Sequence, residues 1–203
     1  MSRSPHVILS KDLGEYFRTE VSEARSNLGI ELGDITEYYL VNLLCEFARQ
    51  GAGPTPGDEP LAFIYKRALE AGAAERVRLF KQLGDLSLYV SGFFAEFVER
   101  SLVDMDYYIA MGGNAYSNLS DLVAAQRQGE MFAQLYTQLA HRFTEIVDLL
   151  NEIAAKSRER VDDHRELLQL YDRWLRTGSQ RIRKLLIEKG LVPTDAIPTE
   201  YEQ

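Results

Sequence analysis

Histidine, cysteine and paired carboxylates are the residues through which a protein binds metals or moves protons near neutral pH, and this chain uses few of them. It has three histidines, His6, His141 and His164, and one cysteine, Cys45. None of the spacings HExxH, ExxH or CxxC occurs, and no glycine-rich phosphate loop is present, so neither a zinc nor a carboxylate-bridged iron centre is expected. No cofactor is implied. A Ser/His/Asp set is compatible with any spacing, because triads assemble from distant positions, but no nucleophile-elbow sequence recommends one. With about 100° of rotation per helical residue, His141 falls opposite the apolar stripe that starts at Phe132, so it is expected to face solvent and pair with Glu145 one turn on. Cys45 lies in YYLVNLLCEFA and reads as a buried structural thiol; a lone cysteine has no internal disulfide partner.

Residues 83–120 carry the least ordinary chemistry, mixing paired aromatics, paired glycines and isolated aspartates within a helical pattern. On the wheel Asp85, Tyr89 and Glu96 share a polar stripe, and Lys81 is the (i, i+4) neighbour of Asp85, so a surface ion pair accounts for that aspartate. Gly84, Ser87, Ser91 and Ala95 form a ridge of small side chains flanked by Phe80, Phe94 and Val98, which something must approach closely: a neighbouring helix or a flat ligand. Glycine within a helix costs about 1 kcal/mol relative to alanine, so Gly84 and Gly92 need a packing benefit or a local bend to offset it. In the next helix Tyr107 and Asn114 follow one edge. If the two edges met, Asp85, Tyr89, Glu96, Tyr107 and Asn114 would line a polar cleft for a small molecule. Gly112 and Gly113 either pack or interrupt that helix.

The elements that would position these groups are legible from breakers and caps. Prolines fall only at Pro5, in GAGPTPGDEP (51–60), and at Pro193 and Pro198. A first helix is expected from about Ser10 to Gly29. A second starts at DITE, with Asp34 as cap and Glu37 completing a capping box, and stops before Gly51. Pro60 suits the first turn of a short third helix ending near Gly72. A long fourth spans about 73–100, and Asp104 caps a fifth that runs toward Ala125. After Gly129 the stripe Phe132, Leu135, Tyr136, Leu139, Phe143, Ile146, Val147, Leu150 and Ile153 predicts a sixth helix. AKSRERVDDHRE either continues it or turns a corner, and a last short helix follows Gly178. No segment alternates as a strand would. The expectation is an all-α, single-domain bundle of about seven or eight helices over residues 1–190, with 191–203 an extended or disordered tail.

The composition is that of a globular domain, with 45% hydrophobic and 27% charged residues. A net charge of −8 disfavours nucleic acid as a partner. No segment has the apolar length of a membrane span and none resembles a signal peptide, so a cytoplasmic location is expected. The charge is uneven: residues 156–189 hold ten basic and six acidic side chains, a net of +4, which leaves −12 elsewhere. That asymmetry suits docking on an acidic partner or on another copy of the chain, against the plainer reading of a solvated, self-paired face. The leading expectation is a non-enzymatic interaction, adaptor or regulatory protein that self-associates. The alternatives are a small-molecule or tetrapyrrole-binding protein using the 83–120 segment, and an enzyme whose site carries no recognisable pattern.

Overall fold

Eight helices and no strand form among the described residues. The computed structural model describes the backbone of residues 6–49, 59–95, 98, 103–126 and 129–189, and the side chains of these except 6–12 and 161–165. The expected tail 191–203, the stretch 51–58 and Glu96 lie outside the described residues. The chain is an all-α bundle, as its pattern of caps and breakers predicts. Its packing divides it into two units, Met1–Ala154 and Ala155–Gln203.

In the first unit, α1 (His6–Leu28) ends at Gly29, whose φ of 65° suits a residue with no side chain. Asp34, expected as the cap of α2 (Asp34–Arg49), is instead its first helical residue, where a negative charge favours the free amides. Glu37 reaches across to Arg25 of α1 at 3.1 Å, so the predicted capping box is replaced by an inter-helix ion pair. Pro60 precedes α3 (Leu61–Glu70) as its cap. The end of α3 is closed from outside. Arg76, in α4 (Ala73–Phe93), donates to the carbonyls of Ala68, Leu69 and Ala71 at 2.9–3.1 Å and so satisfies acceptors the helix leaves free.

The fourth helix leaves helical geometry at Phe94 (φ −120°, ψ 35°), earlier than its periodicity suggests. Asp104 caps α5 (Met105–Ala124) as predicted, accepting the amide of Tyr107 at 2.9 Å. That helix runs unbroken through Gly112 and Gly113. The expected sixth helix is two: α6 (Glu130–His141) and α7 (Phe143–Thr177) join at Arg142, the one non-helical residue between them. Its φ of −107° and ψ of 21° bend the chain, while its amide still bonds Gln138 and its carbonyl still accepts from Ile146. No corner forms in AKSRERVDDHRE.

The closest-packed pairs are α4 with α5 and α5 with α6, followed by α3 with α4 and α1 with α2, with a smaller α2–α6 contact. One apolar cluster, from Phe17 to Ile153, fills the space between them and includes the thiol of Cys45. Phe132 departs from its expected place on the packed stripe: it is 55% exposed, and the buried face of α6 begins one turn later at Leu135 and Tyr136. Periodicity fixes a helix face but not how far along it a neighbour reaches.

In the second unit, Gly178 takes a φ of 60° and its amide bonds the Trp174 carbonyl at 2.8 Å, turning the chain from α7 into α8 (Gln180–Glu188). Lys189, at the end of α8, pairs with Glu166 of α7 at 2.9 Å, so the two helices form an antiparallel hairpin. Trp174 and Leu186 are its buried side chains among the described residues of this unit.

Candidate functional site

The most concentrated polar chemistry of the first unit gathers on Asp85. The expected ion pair with Lys81 forms, but only the lysine side of it is at the surface: Lys81 is 42% exposed in its side chain and Asp85 is buried, 9% exposed. Lys81 does pair with it, Nζ to Oδ2 at 2.5 Å, but two tyrosines from other helices complete the set. Tyr39 of α2 and Tyr116 of α5 both donate their hydroxyls to Oδ1, at 2.5 and 2.8 Å. Lys81 Nζ also lies 5.4 Å from the centre of the Tyr39 ring, within cation–π range. The rings form a further layer: Tyr39 meets Tyr116 and Tyr136 edge-on, and Tyr116 lies nearly parallel to Tyr136 of α6 at 6.0 Å.

Gly84 explains how this assembly closes. A Cβ at that position would lie 2.6–2.9 Å from three atoms of the Tyr116 ring, closer than carbon atoms pack. The absence of a side chain lets Tyr116 lie against α4 and extend its hydroxyl to the aspartate one residue on. The same logic covers Gly92, which lies off the ridge on α4, and Gly112 of α5, which faces the ridge at Ser87. A Cβ at Gly92 would meet Leu150 of α7 at 2.5 Å, and one at Gly112 would collide with Phe143 and Ser87. The ridge therefore faces packed helices, and Ser87 and Ser91 turn their hydroxyls back onto the α4 carbonyls of Leu83 and Ser87.

Burial is the main force holding the Tyr39 and Tyr116 hydroxyls protonated, with the Asp85 charge second, and both are pushed well above the ordinary tyrosine range. Tyr136 is raised chiefly by burial as well, partly offset by the Lys81 charge. Burial alone would lower the Lys81 amine, but the charge and hydrogen bond of Asp85 outweigh it and raise the amine. At neutral pH the carboxylate thus faces three proton donors. With its oxygens engaged by Tyr39, Tyr116 and Lys81, this side chain ties α2, α4 and α5 together at one point.

The other sequence-derived candidates do not join Asp85. Tyr89 stacks on Phe47 at 3.9 Å with 10° between planes and also touches Phe93 and Phe94. Tyr107 packs edge-on against Tyr108. Asn114 is exposed, and its carbonyl accepts the side-chain amide of Asn118. His141 is exposed as expected, but Glu145 pairs with Arg142 at 2.5 Å. Tyr39 and Tyr116 escaped the sequence reading, although a signal existed. Each falls on the packed face of its helix, Tyr39 one turn before Leu43 and Tyr116 one turn after Gly112, and a buried hydroxyl requires a partner.

Open grooves lie elsewhere. One of about 700 Å³ runs along α5 and α6, where Ser120 bonds the Ala133 carbonyl and Thr137. A smaller one of about 270 Å³ lies on α1 and α2, lined by Arg18, Asp34, Glu37, Tyr38 and Val41. In the second unit a shallow polar groove follows α7 beside Arg173 and Arg176. Among the described residues no helix is long and apolar enough to cross a membrane, and no three His, Cys, Asp or Glu side chains gather as a metal site would need. No family model matches the chain, and no curated protein or solved structure matches it significantly.

Proposed function

We propose that this chain is a non-catalytic helical interaction module whose C-terminal hairpin docks on an acidic protein surface. The observation that carries this reading is the set of exposed apolar and basic side chains on the hairpin. Leu168 and Leu175, 64% and 60% exposed, stand seven residues apart and so share one stripe of α7, about 10 Å from one another. Leu185 and Ile187 of α8 are exposed as well. Around them Arg173, Arg176, Arg181 and Lys184 are exposed and form no ion pair with a described carboxylate. The plainer reading, a face neutralised by its own ion pairs, leaves these four cations unexplained. Apolar side chains ringed by uncompensated positive charge supply both the contact area and the steering that association with an acidic surface uses.

A small-molecule site in the 83–120 segment has less behind it, because the Tyr116 ring covers the ridge at Gly84 and Gly112 of α5 packs on it at Ser87. The docking reading is tested with Leu168→Ser/Leu175→Ser and Arg173→Glu/Arg176→Glu, each compared with wild type by co-purification from the source cells and by sedimentation. At least one association of the wild type is expected to disappear in both variants. Indistinguishable association profiles for the three proteins would remove the hairpin as a docking surface.

A further inference from the structure

The charge that the hairpin lacks is present on the first two helices of the same chain. Residues 13–49 carry three basic and seven acidic side chains, a net of −4 against the +4 of residues 156–189. On this acidic pair lies the α1–α2 groove, with Val41 buried in it and Tyr38 standing 66% exposed at its wall. Asp34 is exposed at its rim and forms no ion pair with a described cation, whereas Glu37 is already held by Arg25. The remaining charged side chain of the lining is Arg18, so the acidic excess belongs to the two helices and Asp34 is its point in the groove. Ile35, 47% exposed, extends the apolar surface beyond the groove. At about 270 Å³ the groove is smaller than the 300–1,000 Å³ typical of small-molecule pockets, a size that suits one protruding side chain rather than a whole ligand.

Resting on the docking reading above, we infer that the acidic surface is this groove on a second copy of the chain: a leucine of one hairpin enters between Tyr38 and Val41, and its arginines face Asp34. Because the two surfaces differ, one contact leaves a hairpin and a groove unfilled, which a reciprocal second contact in a two-fold dimer or further copies in a ring or chain would satisfy. Charge steers the encounter, and the apolar side chains, exposed on both surfaces, supply the contact.

The test uses the full chain in sedimentation and light scattering, with Leu175→Glu to disable the hairpin and Tyr38→Lys to disable the groove. Both positions are exposed, and unchanged circular dichroism and melting temperature establish that each variant folds. Wild type is expected to gain mass with concentration and to associate roughly tenfold more weakly in 500 mM than in 50 mM salt, as screening shortens the reach of its charges. Each variant alone is expected to weaken association at least tenfold. An equimolar mixture of the two is expected to form a heterodimer and stop there, because one intact hairpin meets one intact groove and the surfaces left over are the disabled ones. A wild type monomeric at every concentration and salt overturns the second-copy partner, while co-purification still decides the docking reading. Wild-type association that Leu175→Glu abolishes and Tyr38→Lys leaves intact overturns the groove alone. Association untouched by either variant overturns both.

Discussion

Replacing Asp85 by alanine removes one carboxylate that accepts from Tyr39, Tyr116 and Lys81 at once. The three losses are unequal. Tyr116 is fully buried, so its hydroxyl is cut off from water and keeps only the Tyr39 hydroxyl as a neighbour, a loss of about 1–3 kcal/mol. Tyr39 is only partly buried and 42% of the Lys81 side chain is exposed, so both recover hydration and together add about 1 kcal/mol. The vacated volume adds roughly 1 kcal/mol more. Asp85→Ala is therefore expected to cost about 3–5 kcal/mol, and Asp85→Asn, which keeps a carbonyl for the hydroxyls, about half of that. Urea unfolding followed by far-ultraviolet circular dichroism and tyrosine fluorescence reads the change as a shifted midpoint at constant slope. Tyr116→Phe alone should cost about 1–1.5 kcal/mol, and combined with Asp85→Ala it should fall short of the sum by about 1 kcal/mol, since the two remove the same bond. A loss below about 1 kcal/mol for Asp85→Ala, or a double variant additive within about 0.5 kcal/mol, would refute the account of this cluster.

Because the fold keeps Tyr39 and Tyr116 protonated, the unfolded chain releases protons near pH 10 that the folded chain retains. Stability from this source is complete below about pH 10 and declines above it, so between pH 8 and 11.5 the urea midpoint should fall more steeply for wild type than for Tyr39→Phe/Tyr116→Phe. Two glycines in helices should respond oppositely to alanine. Gly14→Ala meets nothing within 4 Å and should raise stability by about 0.5–1 kcal/mol, whereas Gly84→Ala drives a methyl into the Tyr116 ring and should lower it by about 1–3 kcal/mol. Gly178→Ala places a side chain at a φ of 60°, a cost of about 1–2 kcal/mol, and should speed amide exchange in α8 while leaving α4 and α5 unchanged.

Where a signal is local, the residues announced the structure: Asp104 starts α5, Gly29 and Gly178 end α1 and α7, and Cys45 is buried. The small-residue ridge was legible as well, because a helix carrying Gly84, Ser87 and Ser91 on one side invites close contact. What the sequence withheld is relational. A wheel put Asp85 in a polar stripe of its own helix, and nothing in that wheel contains Tyr39 of α2 or Tyr116 of α5, which cover and bond it. Phe132 fits its stripe and is nonetheless exposed, since the packed face of α6 begins one turn further on. The bend at Arg142 uses neither glycine nor proline, the two residues that advertise breaks. For the hairpin the excess of positive charge could be counted, but which leucines protrude through it depends on how α7 and α8 turn about Gly178.

The docking surface is most directly tested by a photo-crosslinking amino acid at position 175 of the full chain, expressed in its source cell, with the same probe at exposed Asn114 as the control. The account predicts a discrete adduct from position 175, weakened by Arg173→Glu/Arg176→Glu, to an acidic protein identified by mass, which under the second-copy inference is this chain itself. No adduct at 175 beyond that at 114, or an adduct indifferent to the arginine substitutions, would contradict it.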